Sequence, residues 1–297
     1  MAGAFTLADL RALAGGRPGF HDVPCPMCGP ERRSPKNRLR NVLRVWLVDE
    51  RFATYHCARC GEKGEAHAGG VQARHVDREA IQRARALAES RDRAATADRL
   101  ALAGFLWKRR TPLSGTCGER YLREARGYQG EIPATLGFLA ARAQHPPAVV
   151  AAFGIPIEPE PGLLVMPDSA VKGVHITRLR ADGSGKAEEP AKVIIGKCAG
   201  SPIVLAPLND GLGLAVTEGI EDGLSIFGAT GLGTWAAGAA SRLPALADTV
   251  PTYARSVSVI ADADPAGRRG AADLAARLRA RWLQVEMVTF DKTRAGA

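Results

Sequence analysis

The stretch Ser256-Val257-Ser258-Val259-Ile260-Ala261-Asp262-Ala263-Asp264-Pro265-Ala266-Gly267 decides the fold class. A short apolar strand ends in two acids, one residue apart. Side chains alternate along a strand, so Asp262 and Asp264 point to the same side. Upstream, the apolar run Leu214 to Thr217 reads as a second strand, and it ends on Glu218-Gly219 where a helix opens. Outward from these two, strand and helix patterns alternate. The expectation is a helix over 220–228, a strand from Gly233 to Ala236, a helix over 239–249, a strand from Val257 to Ala261, a helix over 268–282 and a strand from Val285 to Phe290. Alternation of this kind predicts βαβ units, hence a mainly parallel four-stranded sheet with helices on its faces.

In such sheets ligands bind in the crevice beyond the carboxyl ends of the strands, where Glu218, Asp262 and Asp264 fall. Grouped carboxylates form a hard oxygen site suited to Mg²⁺. An ion held there bridges phosphate oxygens and stabilises charge in phosphoryl transfer. Glu218 also qualifies as a general acid or base. A lone Asp-x-Asp is weak, because such pairs often cap helices. The pair together with a Glu-Gly turn after an earlier strand is far more specific.

At the other end of the chain, Cys25-Pro-Met-Cys28 and Cys57-Ala-Arg-Cys60 are two C-x₂-C knuckles. Two knuckles facing each other supply the tetrahedral four-thiolate set that structural zinc prefers. Gly29 and Gly61 follow directly, where the chain must turn sharply. His21, His56 and His67 lie nearby and are read as surface groups while four cysteines are available. Cys117 and Cys198 lack spaced partners and read as packing residues. Between the knuckles, Arg32, Arg33, Lys36, Arg38, Arg40, Arg44 and Arg51 alternate with apolar and aromatic residues. The arginines, Arg33 and Arg40 among them, suit nucleic-acid phosphates, and exposed aromatics could stack on unpaired bases. Trp46 is expected in the core.

Lys and Arg number 40 against 31 acids, a net charge of +9 that favours a polyanionic partner. The chain carries no signal-like leader and no run long enough to span a membrane, so the expected location is cytoplasmic and no membrane partner is expected. A multidomain α+β organisation is expected: zinc ribbon over 1–70, helical segment over 71–130, basic α+β subdomain over 131–210 and the acid-bearing α/β domain over 211–297. Val76, Ile81, Leu87, Leu100, Phe105 and Leu106 suit amphipathic helices. Thr116 and Glu119 have capping-box spacing and Gly127 is a natural stop, predicting a short helix over 117–126. Leu163 to Met166, Val174 to Leu179, Lys192 to Ile195 and Ile203 to Leu205 read as strands.

Glu-Gly after one strand and Asp-x-Asp-x-Ala-Gly after a later one resemble the Toprim domain, shared by primases, topoisomerases and some nucleases. Glu218-Gly219-Ile220-Glu221-Asp222 is similar to its primase form, in which an aspartate follows four residues after the glutamate. By that resemblance Asp222 helps hold metal; as an acid in a first helical turn it equally suits the helix dipole. The run from Cys25 to Gly64, with Tyr55-His56-Cys57-Ala58-Arg59-Cys60-Gly61-Glu62-Lys63-Gly64, resembles the zinc-binding domain of bacterial and phage primases, in the four-cysteine form of phages. Residues 99–127 look like the helical segment of phage and mobile-element Toprim proteins. Gly173-Val-His-Ile-Thr-Arg-Leu179, Lys186-Ala187 and Ala191-Lys192 resemble the basic subdomain that precedes Toprim in primases, which implies that Arg178 and Lys192 contact template or nucleotide phosphates. Ordinary exposed strand residues account for both equally well. The resemblance implies a DNA primase-type nucleotidyltransferase acting in DNA replication. Its partners would be a single-stranded DNA template, ribonucleoside triphosphates and a separate replicative helicase. Its ions would be structural Zn²⁺ and catalytic Mg²⁺ or Mn²⁺. A Toprim-type metal-dependent nuclease and a non-catalytic nucleic-acid-binding replication accessory are the alternatives. In related proteins a further acidic motif follows the last strand; here either Asp291 supplies that charge or this form lacks the last motif. No P-loop is present.

Overall fold

A computed structural model describes residues 4–28, 40–69 and 78–289, with side chains described from 93 onward in the last stretch. Arg33, with Arg32, Lys36 and Arg38, lies outside the described residues, as do Gly29, Val76 and Asp291; so do the side chains of Ile81 and Leu87. The chain divides into two units, Met1–Ala95 and Thr96–Ala297.

The first unit opens with helix α1 (Leu7–Leu13), whose Thr6 and Asp9 cap each other's backbone in a capping box. An antiparallel meander follows in the order β1 (Gly19–Pro24), β2 (Asn41–Leu47), β3 (Phe52–Cys57) and β4 (Lys63–His67). Leu43, Val45 and Leu47 alternate inward along β2 and bury completely against Leu10, Ala53 and Tyr55. The opposite face carries Trp46, which the core expectation misplaces. Trp46 is half-buried and stacks on the exposed Phe20 directly across the ladder, with ring centroids 5.2 Å apart. Being in phase with Arg44 and not with Val45, it had to fall on the outer face.

Helix α2 (Arg78–Lys108) comes next, followed by α3 (Cys117–Arg120), which continues as a π-helical turn over Tyr121–Ala125. Thr116 accepts the N–H groups of Gly118 and Glu119, while the Glu119 carboxylate receives the Gly115 N–H, so the cap forms one residue early on its return arm. The middle sheet holds β5 (Leu136–Leu139) and β6 (Ala148–Phe153). A small hairpin, β7 (Ile157–Glu160) and β8 (Leu163–Val165), intervenes before β9 (Gly173–Arg178) and β10 (Lys192–Gly196). Sheet order is β10-β9-β6-β5, all antiparallel. One face packs Val150, Ala152 and Val174 against Trp107 of α2. The other packs Val149, Ala151 and Phe153 against Tyr121, Ile220 and Leu224.

The last sheet comprises β11 (Ile203–Ala206), β12 (Gly213–Thr217), β13 (Gly233–Ala236), β14 (Ser256–Ala261) and β15 (Gln284–Thr289). Its order is β11-β13-β12-β14-β15. The four expected strands are parallel, and β11 adds a fifth, antiparallel to β13. Helix α4 (Ile220–Thr230) covers one face. The other is covered by a 3₁₀ segment over Ala240–Leu246, where a longer helix was expected, and by α5 (Pro265–Ala280). Coverage on both faces explains why β12 and β13 are buried at every residue, Trp235 included. Among the described residues no helix is long and apolar enough to cross a membrane.

Candidate functional site

Each knuckle residue has a local reason. Cys57 ends β3, and the chain reverses through Gly61 at φ +75°, whose N–H donates to the Cys57 carbonyl at 2.9 Å. Tyr55 lies directly across from Gly64, where a Cβ would sit 2.7 Å from the phenol oxygen, so the ring needs that glycine. The four thiols of Cys25, Cys28, Cys57 and Cys60 lie within 4.8 Å of one another, the one such convergence of potential ligands among the described residues. Cys25 and Cys60 are separated by 4.0 Å, and Cys28 and Cys57 by 3.8 Å. A tetrahedral ion with bonds of about 2.3 Å requires sulfur–sulfur edges of about 3.8 Å, close to these two separations, so the donor set suits zinc. Burial pushes the Cys28 thiol up to about 12. Burial works the same way on Cys57, but the N–H groups of Cys60 and Arg59 outweigh it and bring that thiol down to about 7. His21 instead contacts the Arg17 carbonyl and His67 pairs with Glu65. Arg40 is exposed.

On the outer face of this meander, Phe20–Trp46 stacking sits beside an Arg44–Asp22 ion pair of 2.8 Å, register neighbours on β1 and β2. The result is a partly exposed aromatic pair bordered by charge.

The acids sit where their strands end. Glu218 follows β12 and is half-buried. Its Oε2 is sealed from solvent without a hydrogen-bond partner. Burial raises its pKa, and the neighbouring Asp262 and Asp264 carboxylates raise it further. A buried carboxylate oxygen with no donor, facing two more carboxylates, is a site whose charge calls for a cation. The three side chains are near enough to repel, yet among the described residues only the thiols converge as a closed cage. Asp264 is also the N-cap of α5, with Oδ1 accepting the Gly267 N–H at 2.7 Å. Gly267 is required for a second reason: a Cβ there would lie 2.7 Å from that of Asp262 and 3.0 Å from its carbonyl oxygen. Asp222 lies exposed in the first turn of α4, its Oδ2 only 2.8 Å from where a Cβ on Gly219 would stand.

The middle sheet contributes Lys192 and Arg178, but on opposite faces. Lys192 pairs with Thr177, so its exposed side chain shares the face of His175 and Thr177, and its charge acts on both Glu218 and Glu221. Arg178 lies one residue out of phase, on the face turned toward α2, and donates to the Pro190 carbonyl at 3.1 Å. Only Lys192 joins the acids. His175 is buried, which pushes its pKa down to about 4 and keeps the ring neutral.

A second group escaped the sequence reading. Glu221, one turn into α4, accepts the Tyr121 hydroxyl at 2.7 Å and the Lys186 ammonium at 2.7 Å. Burial opposes its charge, but Lys192, Lys186 and Tyr121 together hold it down to about 2. Its partners come from the helical segment and from the β9–β10 loop, so no local spacing marks it.

Residues 213–294 match the family model of the Toprim domain, and residues 97–205 match that of a domain of unknown function (DUF7146). No curated protein matches. Three solved structures are similar. The zinc-binding and RNA polymerase domains of Aquifex aeolicus primase share 13% identity at a TM-score of 0.39, over 99% of this chain and 80% of that one. The primase fragment of the bacteriophage T7 primase-helicase protein shares 14% identity at 0.36, over 90% and 89%. A DNA primase domain from Pseudomonas aeruginosa shares 10% at 0.34, over 54% of this chain, which spans half of that chain's length. The C-terminal part of the chain is thus a Toprim domain. A zinc-ribbon-like four-cysteine module precedes it in the same chain.

Proposed function

We propose that this chain is a primase-type nucleotidyltransferase that makes short RNA primers on single-stranded DNA. One observation carries the reading: Glu218, with an unpartnered buried oxygen, stands beside Asp262 and Asp264 at the ends of parallel strands and within reach of the charge of Lys192. Glu218, Asp262 and Asp264, with Asp222 nearby, would hold Mg²⁺ or Mn²⁺, which when bound offsets charge on a triphosphate. Lys192, exposed on the same side, binds the triphosphate or template backbone of a ribonucleotide-bearing complex. The Cys25, Cys28, Cys57 and Cys60 set holds structural Zn²⁺. The Phe20–Trp46 pair and the exposed Arg40 offer the stacking and phosphate groups that an unpaired template requires, and Arg33, outside the described residues, would add a further basic group. A separate helicase would supply the unwound strand in the cell.

The test is primer synthesis on single-stranded DNA with labelled ribonucleotides and Mg²⁺ or Mn²⁺. Wild type is expected to make short RNA, and Asp262→Ala to make none while keeping its fold. Strand cleavage without synthesis would assign the same acids to hydrolysis. Binding without either reaction would make the protein a replication accessory.

A further inference from the structure

The Glu221 carboxylate joins three chain segments far apart in sequence. It belongs to the first turn of α4, next to the Glu-Gly turn of the acid site, and its Oε2 lies 3.7 Å from where a Cβ on Gly219 would be. Its Oε1 takes both the Tyr121 hydroxyl and the Lys186 ammonium, each at 2.7 Å. Tyr121 begins the π-helical turn and also accepts from Arg126 Nε at 2.9 Å. Lys186 lies in the loop joining β9 to β10, which is pinned against α3. Arg120 donates to the Asp182 carbonyl at 2.8 Å, and Gly183 fits so closely that a Cβ would stand 2.5 Å from the Cys117 carbonyl oxygen. Lys186 and Lys192 are near enough to repel each other, and Lys192 also feels Glu218.

Two ammonium groups from one hairpin would part unless an anion stood between them. Tyr121 and Lys186 together leave Glu221 only 15% exposed, so its charge acts with little screening. We propose that Glu221 is a positioning residue: by holding Lys186 against α4 it fixes the β9–β10 hairpin so that the exposed Lys192 faces the acid site and receives a nucleoside triphosphate. The inference rests on the proposed nucleotidyl-transfer reading for its ligand. The carboxylate touches no substrate; it acts through Lys186 and the hairpin.

The test compares wild type, Glu221→Gln, Lys186→Met and the double variant by hydrogen exchange and by titration with N-methylanthraniloyl-ATP in Mg²⁺. Glu221→Gln keeps the shape of the side chain and loses its charge. The expected result is faster exchange at Gly183 and Ala187, whose amides close the hairpin loop. It is accompanied by roughly tenfold weaker nucleotide binding, the loss of about one charge-assisted contact. The double variant is expected to bind no worse than the weaker single one. A merely structural defect would lower the amount of nucleotide bound and leave the Kd of the remaining fraction unchanged. Unaltered exchange, an unaltered Kd, or effects of the two substitutions that multiply would each overturn the inference while leaving the primase reading in place. If wild type binds no nucleotide, both fall together. Should Glu221→Gln fail to fold, Tyr121→Phe, which removes the other donor and leaves Lys186 paired, must preserve nucleotide affinity if the lysine is the working link.

Discussion

Replacing Glu218 by Gln is expected to stabilise the metal-free protein and abolish its response to Mg²⁺. Glu218 Oε2 is buried with no donor, and its charge faces Asp262 and Asp264. An unsatisfied buried polar group costs about 1–3 kcal/mol, more when charged. Gln keeps an acceptor for the Ala240 N–H that now serves Glu218 and turns an N–H₂ toward the aspartates. The net gain should be about 1–2 kcal/mol. For a unit the size of Thr96–Ala297 that corresponds to a rise in Tm of about 2–8 °C. Mg²⁺ at a hundredfold excess over its Kd would add about 2.7 kcal/mol to wild type by mass action, and little to the variant. Stability order therefore inverts between EDTA and Mg²⁺, which thermal melts in the two buffers read directly. The pH dependence has a definite sign. The Glu218 pKa is raised in the fold above its ordinary 4.5, so the native state holds the proton more tightly than the unfolded state. The destabilisation is complete above the native pKa, fades as the pH falls through it, and is gone below the unfolded value. The gap between variant and wild type should close on acidification. A variant less stable than wild type in EDTA at neutral pH, or one that keeps the Mg²⁺ shift, would refute the reasoning.

Cys57→Ser removes one corner of the thiol set, and metal analysis should show zinc falling from one per chain to none, with loss of cooperative melting in Met1–Ala95; retained zinc would contradict the ribbon. Gly267→Ala forces a Cβ to within 2.7 Å of Asp262 Cβ and 3.0 Å of its carbonyl oxygen. Strain of this kind costs roughly 1–3 kcal/mol. Because the displaced residue is Asp262, the Mg²⁺-induced rise in Tm should shrink more than stability itself.

The Toprim part of the fold was legible because its order is local. Strands β12 to β14 are short apolar runs, each closed by a turn, and α4 and α5 are long enough to show their period, whereas the 3₁₀ segment over Ala240–Leu246 looked like a longer helix. What the sequence hid is non-local. Strand β11 was grouped with the middle segment because nothing in Ile203–Ala206 says that it will pair antiparallel with β13. Strand β6, Ala-Val-Val-Ala-Ala-Phe, was missed because it is buried on both faces and so lacks alternation, while its alanines favour helix. Arg178 and Lys192 looked equivalent as basic residues in a basic segment, and only the β9–β10 register puts them on opposite faces. Between the neighbours Glu221 and Asp222, resemblance favoured Asp222. Yet the carboxylate that binds distant elements is Glu221, because Tyr121 and Lys186 approach from that side of α4.

The two candidate metal sites differ in the same way, and the difference bears on function. Each half of the thiol set is written in nearby residues, namely its own knuckle with Gly61 in its left-handed turn and Gly64 beneath Tyr55, and the β1–β2–β3 meander brings the two halves together. It closes to within 4.8 Å once those two halves meet, as a site that only holds a fold together should. The acid site draws on β12, β14, the cap of α5 and the β9–β10 hairpin, and it leaves a buried oxygen without a donor and like charges face to face. Asp264 serves the fold as the cap of α5, but stability gives no reason for a charged Glu218, since an amide there would relieve the repulsion. A charged opening that costs stability is what the proposed nucleotidyl-transfer centre, with its cation and polyphosphate, would need and a purely structural sheet end would not.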